Sequence, residues 1–514
     1  MAQSTAGTHL KTEWYQPVKR VAIAVYADWD GDGDYDLPGE DITARVVSIN
    51  IKHSLYDAAA GLPVLGSPAG YAMCGITLSN DDYYFSLTNP NGIVNEFPSL
   101  ATDGMYGVTV EVWAGYYYSD TLEMLIQFKG GIETVAERER WEEAIVALTC
   151  RDLSWRLAQA KVSSGITVSA STDECIDATI NAAIGSVTTD LDNGHAIIPY
   201  FWLDNENAWE KCVDIAASEG GFFFFGKDGT PTFRRITALV EREDSTSPVA
   251  TINEGRAFEL NSSTTWRDLY SVVIVRYTGM YIGDVGEVWQ SPRYIIVGPG
   301  ETKDIDVRFT RPIYALFDPV EEDDYICVTV SGKRLTKGVD FDFTISDVYA
   351  QTATLSIVNN LSYLDIIFPY FTLKGLPLYG DDAVDKRFDT ALSIDKDFLV
   401  SGNSYLQTEL QADIVGGYLR DRLSKPHRIY QWAGPMIPFI ELLDRVALSH
   451  NVMTPNPGID IEAWVLGWEM SFRTGDILKQ SLILLPTSNV FSMSKYFILG
   501  ESVLADSGSD AAGY

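Results

Sequence analysis

A chain of 514 residues with 38 basic and 71 acidic side chains carries a formal charge of −33. That charge repels phosphate, which argues against sequence-independent nucleic-acid binding and against anionic membrane surfaces as partners. With 46% hydrophobic and 21% charged residues the composition is that of a folded chain, long enough for three or four domains.

Residues 1–20 hold no apolar run of signal-peptide length, so no secretory leader is expected. No stretch reaches the roughly 18 apolar residues of a membrane span, and the richest, Leu364 to Tyr379, is broken by Lys374 and two prolines. The cysteines Cys74, Cys150, Cys175, Cys212 and Cys327 are odd in number and widely spaced. Their spacing excludes Cys-x-x-Cys motifs and fits core thiols in a chain made in a reducing cytoplasm.

Residues 1–135 read as all-β. Val21, Ile23 and Val25 alternate with small or polar residues before an acidic loop, and Val47, Ile49 and Ile51 alternate after it, which predicts a hairpin. Strands follow at Ile76–Leu78, Tyr83–Leu87, Gly107–Trp113 and Leu122–Phe128. Their even spacing predicts a barrel or sandwich.

The period changes over 136–240. After a strand at Ala144–Cys150, helices are expected at Asp152–Ala160, Asp173–Ala183 and Asn205–Glu219, the last with Trp209, Cys212, Val213 and Ala216 on one face. Phe222–Phe225, Gly226-Lys227-Asp228-Gly229 and Thr232–Arg234 then predict strand, tight turn and strand. From about 240 the chain is β again, with strands at Phe258–Leu260 and Tyr270–Tyr277. Region 290–380 has its own strand series, as of a small β-domain inserted in its neighbour. A helix is expected at Ser404–Leu423 with Leu406, Leu410, Ile414 and Tyr418 on one face. Strands at Arg428–Tyr430, Arg445–Leu448, Ala463–Phe472 and Gln480–Leu485 close the pattern, and the Ala/Gly/Ser/Asp tail beyond is expected to be partly flexible.

One motif carries chemistry. Asp28, Asp30, Asp32, Asp34 and Asp36 alternate around Gly31 and Gly33, with Glu40 and Asp41 following. A hard cation such as Ca2+ needs many oxygens, and carboxylates at every second position can turn inward where glycine permits the bend. An EF-hand would need Glu at the twelfth position, occupied here by Gly39, and flanking helices where strands are expected. The spacing resembles the calcium loops on β-hairpins of integrin-type repeats. A structural Ca2+ site at these five aspartates and a solvated acidic turn are the two readings. Signatures of nucleophilic, zinc-dependent or nucleotide-binding enzymes are missing, and His9, His53, His195, His427 and His450 are scattered. The Tyr116–Tyr118 and Phe222–Phe225 runs read as strand cores or interfaces.

The segment at Asn207–Arg234, a helix ending Ser-Glu-Gly-Gly followed by a hairpin ending Asp-Gly-Thr-Pro-Thr-Phe-Arg, resembles a pattern in tail-tip or baseplate hub proteins and minor tail proteins of long-tailed phages. Asp41-Ile42-Thr43 with Val46–Ile51, Ala72–Asn80 with Phe85–Asn89, Val146–Leu153, Phe371–Tyr379 and Trp464–Phe472 resemble other segments of that family, in order along the chain. Leu443-Asp444 departs from it, since the family usually has Gly before the Asp. The resemblance implies a mainly β fold with α+β parts. It comprises a first tube-type β-barrel over 1–135, an α+β domain over 136–240, a second tube-type barrel over 241–289 plus 381–490, the insert 290–380 and an extension 491–514. It further implies a homotrimeric, non-enzymatic hub at the virion tail tip, made in the host cytoplasm. Its partners would be the distal tail or tube proteins, the tape measure protein and a central fibre or spike, with no sequence-specific nucleic-acid binding and no membrane insertion. A receptor- or carbohydrate-binding module is the alternative.

Overall fold

Alternation of apolar and polar side chains produces one large sheet whose strands come from both ends of the chain. The structure is a computed structural model, and it describes residues 10–11, 14–16, 20–55, 70–86, 88–97, 99–100, 104–118, 121–140, 143–236, 247–265, 269–450 and 459–487. His9 and the expected extension 491–514 lie outside the described residues. Twelve strands build the sheet: β1 Val21–Asp28, β2 Val46–Ser54, β3 Ala72–Ser79, β4 Thr109–Tyr118, β5 Thr121–Arg140, β6 Glu143–Asp152, β7 Ala250–Asn253, β8 Glu259–Thr265, β9 His427–Pro435, β10 Arg445–His450, β11 Ile459–Arg473 and β12 Lys479–Pro486. Their order is β1-β4-β5-β6-β3-β2-β11-β12-β9-β8, with β10 on β11 and β7 on β10. The fold is mainly β, as the sequence implied.

The expected β1–β2 hairpin does not form. β1 pairs with β4, and β2 lies between β3 and β11. The free edge of β1 is instead bonded to the chain just after the acidic loop, through Ala27 N–H to Glu40 O and Ile42 N–H to Val25 O. A 3-10 turn at Thr43–Arg45 then turns the chain away into β2. Nor is there a strand at 83–86, the described part of that expectation. The Asn80 side chain accepts from Phe85 N–H at 2.9 Å and Asp82 accepts from Tyr84 N–H at 3.2 Å. These side-chain bonds compete with a ladder and hold a series of turns.

The two halves of the sheet meet on one edge of β11. β2 pairs with its Gly467–Arg473 part, and β10 pairs with Ile459–Trp464. Between them Leu443 N–H bonds Val465 O, and Val465 N–H bonds Asp444 O. Leu443 therefore sits where two ladders abut, and it has φ +65°. This is the position where the related pattern carries Gly.

Among the described residues, three helices lie between the halves in sequence: α1 Ser154–Gln159, α2 Thr172–Ile184 and α3 Ala208–Ala217. α2 starts at a Ser171/Glu174 capping box, and Trp209, Cys212, Val213 and Ala216 of α3 are buried as their spacing predicts. α1 is shorter than expected because Asp152 ends β6 with its carboxylate accepting from Ser154 N–H at 3.1 Å. The strand Phe222–Phe225 pairs with Pro231–Arg234, and all four phenylalanines are buried. Period two divides them. Phe222 and Phe224 belong to the core of the large sheet, whereas Phe223 and Phe225 belong to the helical core with Trp209 and Phe233. One strand thus joins two cores.

α4, Glu409–Leu423, begins later than expected, because Thr408 caps it with Gln411 in a capping box. The expected face is also rotated. Leu410 is exposed, and the buried side carries Ala412, Val415, Tyr418 and Leu419. It packs on a sheet of Val272–Tyr277 with Val384–Asp389 and Asp397–Val400. Residues between Gly286 and Gly380 form short sheets around a separate core centred on Tyr325, Phe341, Phe343, Phe368 and Phe371.

Candidate functional site: an acidic loop and a buried lysine

The acidic loop leaves the end of β1 and turns twice through glycines, Gly31 at φ +79° and Gly33 at φ +89°. Left-handed backbone at both points is cheap only for glycine. Asp28 is buried at the strand end, and its two carboxylate oxygens accept from Gly31 N–H at 2.7 Å and Gly33 N–H at 3.1 Å. Asp32 accepts from Asp34 N–H at 2.8 Å. The turns bring Asp28, Asp30 and Asp32 together, with one carboxylate oxygen of each within 4.8 Å of the others. Asp34 and Asp36 do not join that group. Trp29 anchors the loop from below: its ring is buried and its Nε1 donates to Gly39 O at 3.0 Å.

Sequence reasoning passed over the role of Glu40. It is 1% exposed, and one carboxylate oxygen accepts from Leu37 N–H at 2.8 Å while the other has no hydrogen-bond partner. Burial, with Asp30, Asp28 and Asp32 nearby, holds its carboxyl above the usual range, although the Leu37 N–H opposes this. Burial likewise raises Asp28 against the two glycine N–H groups. The signal lay one residue beyond the position where a calcium loop of the EF type would place its glutamate. The loop borders a cleft of 390 Å³ that is also lined by Tyr106, Lys129 and Arg156.

The turn Gly226–Gly229, which the sequence marks only as a hairpin tip, carries a buried lysine. Lys227 Nζ donates to Gln127 Oε1 at 2.8 Å and to Pro438 O at 3.2 Å, and lies 4.5 Å from the centre of the Trp468 ring. Its N–H donates to Glu441 at 3.3 Å. Burial lowers its pKa to about 8, against the raising effect of Glu441 and Asp444. The residues it meets come from β5, from the 436–444 loop and from β11, so it is a joint between the hairpin and both halves of the sheet.

Several of the other candidates whose side chains are described are packing residues. His53 is buried against Phe224 and Trp468, and burial lowers its pKa to about 3. His195 meets Arg235. All five cysteines are buried and free of disulfides, and burial raises their thiols. The Tyr116 hydroxyl donates to Met436 O across the sheet interior.

A scan of protein-family models finds none that matches the chain, and a sequence search of curated proteins finds no relative. Solved structures do show a likeness. A tail protein from Neisseria meningitidis has 10% identity and a TM-score of 0.47, over 91% of this chain and 98% of its own. A 43 kDa tail protein of prophage MuSo2 from Shewanella oneidensis has 10% identity and a TM-score of 0.48, over 92% and 100%. An E. coli component of the type VI secretion system, described as similar to phage T4 tail proteins, has 7% identity and a TM-score of 0.37, over 92% and 77%. The solved structures named here are two tail proteins and a component of a secretion system.

Proposed function

We propose that the chain is a structural, non-enzymatic protein of a phage-type tail, a homotrimeric hub that joins a sixfold tail tube to a threefold tip and forms part of the conduit for DNA. The observation that supports this most directly is the joining of two sets of strands, from residues 21–152 and 250–486, edge to edge through β2 and β11. One chain thereby supplies two neighbouring sectors of a continuous wall, and three chains would supply six. The ordered resemblance of its segments to tail hub proteins points the same way, and a charge of −33 gives passing DNA few cationic phosphate partners. Its neighbours in the assembly would be tube, tape measure and fibre or spike proteins at the virion tail tip.

Native mass of the purified chain, alone and with the tube protein of the same phage, tests the reading. A species near three times 56.9 kDa is expected. A chain that stays monomeric even with the tube protein present would overturn it.

One feature favours a second, receptor- or glycan-binding role for the unit between Gly286 and Gly380, namely Tyr294 and Tyr363, each 72% exposed. Aromatic faces of this kind stack on sugars. Retention on a glycan array that is lost in Tyr294→Ala or Tyr363→Ala is the expected result of that role.

A further inference from the structure

The geometry points to a divalent-cation site, of the class that takes Ca2+, built from Asp28, Asp30 and Asp32 and walled on its buried side by Glu40. Three carboxylate oxygens within 4.8 Å of one another match the span across a cation bound at about 2.3–2.6 Å. Of the two cationic side chains that line the adjoining cleft, Lys129 and Arg156, the lysine is committed to Glu111 at 2.8 Å.

Glu40 is the independent observation. A carboxylate that is 1% exposed with one oxygen unpartnered is costly to bury, because that oxygen has given up water and gained nothing. Its main-chain oxygen accepts from Ala27 N–H at 2.9 Å, which sets Glu40 beside the strand end that carries Asp28. A cation among the three aspartates would satisfy that oxygen through one of the waters that complete a shell of about six to eight oxygens. The 390 Å³ cleft supplies the path by which an ion enters. Bound there, the ion would tie the turns at Gly31 and Gly33 to the segment that bonds the edge of β1. The site is a property of the isolated chain, so its success or failure is independent of trimer formation.

Calcium titration of the full chain by calorimetry, with Tb3+ luminescence under tryptophan excitation as a second probe, tests this. One saturable site is expected. Asp30→Asn combined with Asp32→Asn should abolish it, Glu40→Gln should weaken it by about tenfold, as loss of a supporting carboxylate does, and Asp36→Asn should leave it nearly unchanged. Melting of each variant in chelator, expected to match the parent chain in chelator, separates lost binding from lost folding. No saturation by about 10 mM, beyond even the weak extracellular class of about 1 mM, would overturn the site. Binding that survives the double substitution would also overturn it. Unaltered affinity in Glu40→Gln would remove Glu40 from it.

Discussion

Lys227 and Gln127, 100 residues apart in sequence, meet as a buried pair in which the ammonium donates to the amide oxygen at 2.8 Å. Both are also bonded to Pro438 O, Gln127 through Nε2 at 3.0 Å. The lysine's nearest acceptors are neutral, so its charge is kept at a cost: a pKa of about 8 against 10.5 corresponds to about 3 kcal/mol at neutral pH. Removing the amine leaves one buried acceptor unpaired, which costs about 1–3 kcal/mol. The two effects nearly cancel, so Lys227→Met should change stability by less than about 1 kcal/mol, whereas Lys227→Ala adds a cavity and should lose about 2–4 kcal/mol. Chemical denaturation at pH 7 checks both.

The same residue has a pH signature. Its folded pKa is depressed, so its favourable contribution is present above the unfolded value of 10.5 and is lost as pH falls through about 8. The difference in stability between the parent chain and Lys227→Met should therefore shift in favour of the parent between pH 8 and 10.5. A difference curve that is flat over that window would show the amine to be solvated.

Glu219 should act in the opposite direction. One of its oxygens accepts from Thr172 Oγ1 at 3.0 Å, His195 N–H at 3.1 Å and Ala196 N–H at 2.9 Å, while the other is buried without a partner. Burial outweighs these donors and raises its pKa to about 7. A raised folded pKa gives stability that is complete below the unfolded value of 4.5 and is lost as pH rises through about 7. Glu219→Gln should flatten that fall and be more stable than the parent at pH 8, as thermal melts across pH 4–8 would show.

At Leu443 two effects oppose each other. Relief of left-handed backbone by Leu443→Gly is worth about 1–2 kcal/mol, but the side chain is buried in the main core, and truncating such a leucine costs about 2–5 kcal/mol. Burial wins, and the variant should lose about 1–3 kcal/mol. A gain in the denaturation midpoint would show that strain dominates.

Gly416 lies in the middle of α4, where alanine would ordinarily gain about 1 kcal/mol. A Cβ there would overlap the ring of Phe388. Gly416→Ala should destabilise by about 1–3 kcal/mol, and adding Phe388→Leu should recover part of the loss, measured as a double-mutant cycle.

Local patterns were legible in the sequence. The face of α3, the Phe222–Phe225 strand and the bends of the acidic loop follow from spacing and glycine alone. Pairing was less so, because alternation in Val21–Val25 and Val47–Ile51 shows two strands without showing that a 3-10 turn at Thr43–Arg45 sends them to different neighbours. Lys227 in Gly-Lys-Asp-Gly looks like an exposed turn residue, since nothing local reveals that Gln127 and Pro438 close over it. Leu443 was visible as a departure from a familiar pattern, but its left-handed backbone was not. Glu40 is visible as an acidic neighbour of the loop, but its burial depends on the fold around the loop and is not.

The shared edge of β11 also bears on how the chain is made. Asn50 on β2 donates its amide to Glu469 on β11 at 2.8 Å, 419 residues later. At about 5–20 residues per second, a ribosome needs about 20–80 s to cover that interval. Throughout it β2 would hold an unpaired edge open to any other nascent strand. Slow synthesis and high concentration should therefore favour aggregation of incomplete chains, and yield in the producing cell should depend on chaperones that cover that edge until residues 459–473 emerge.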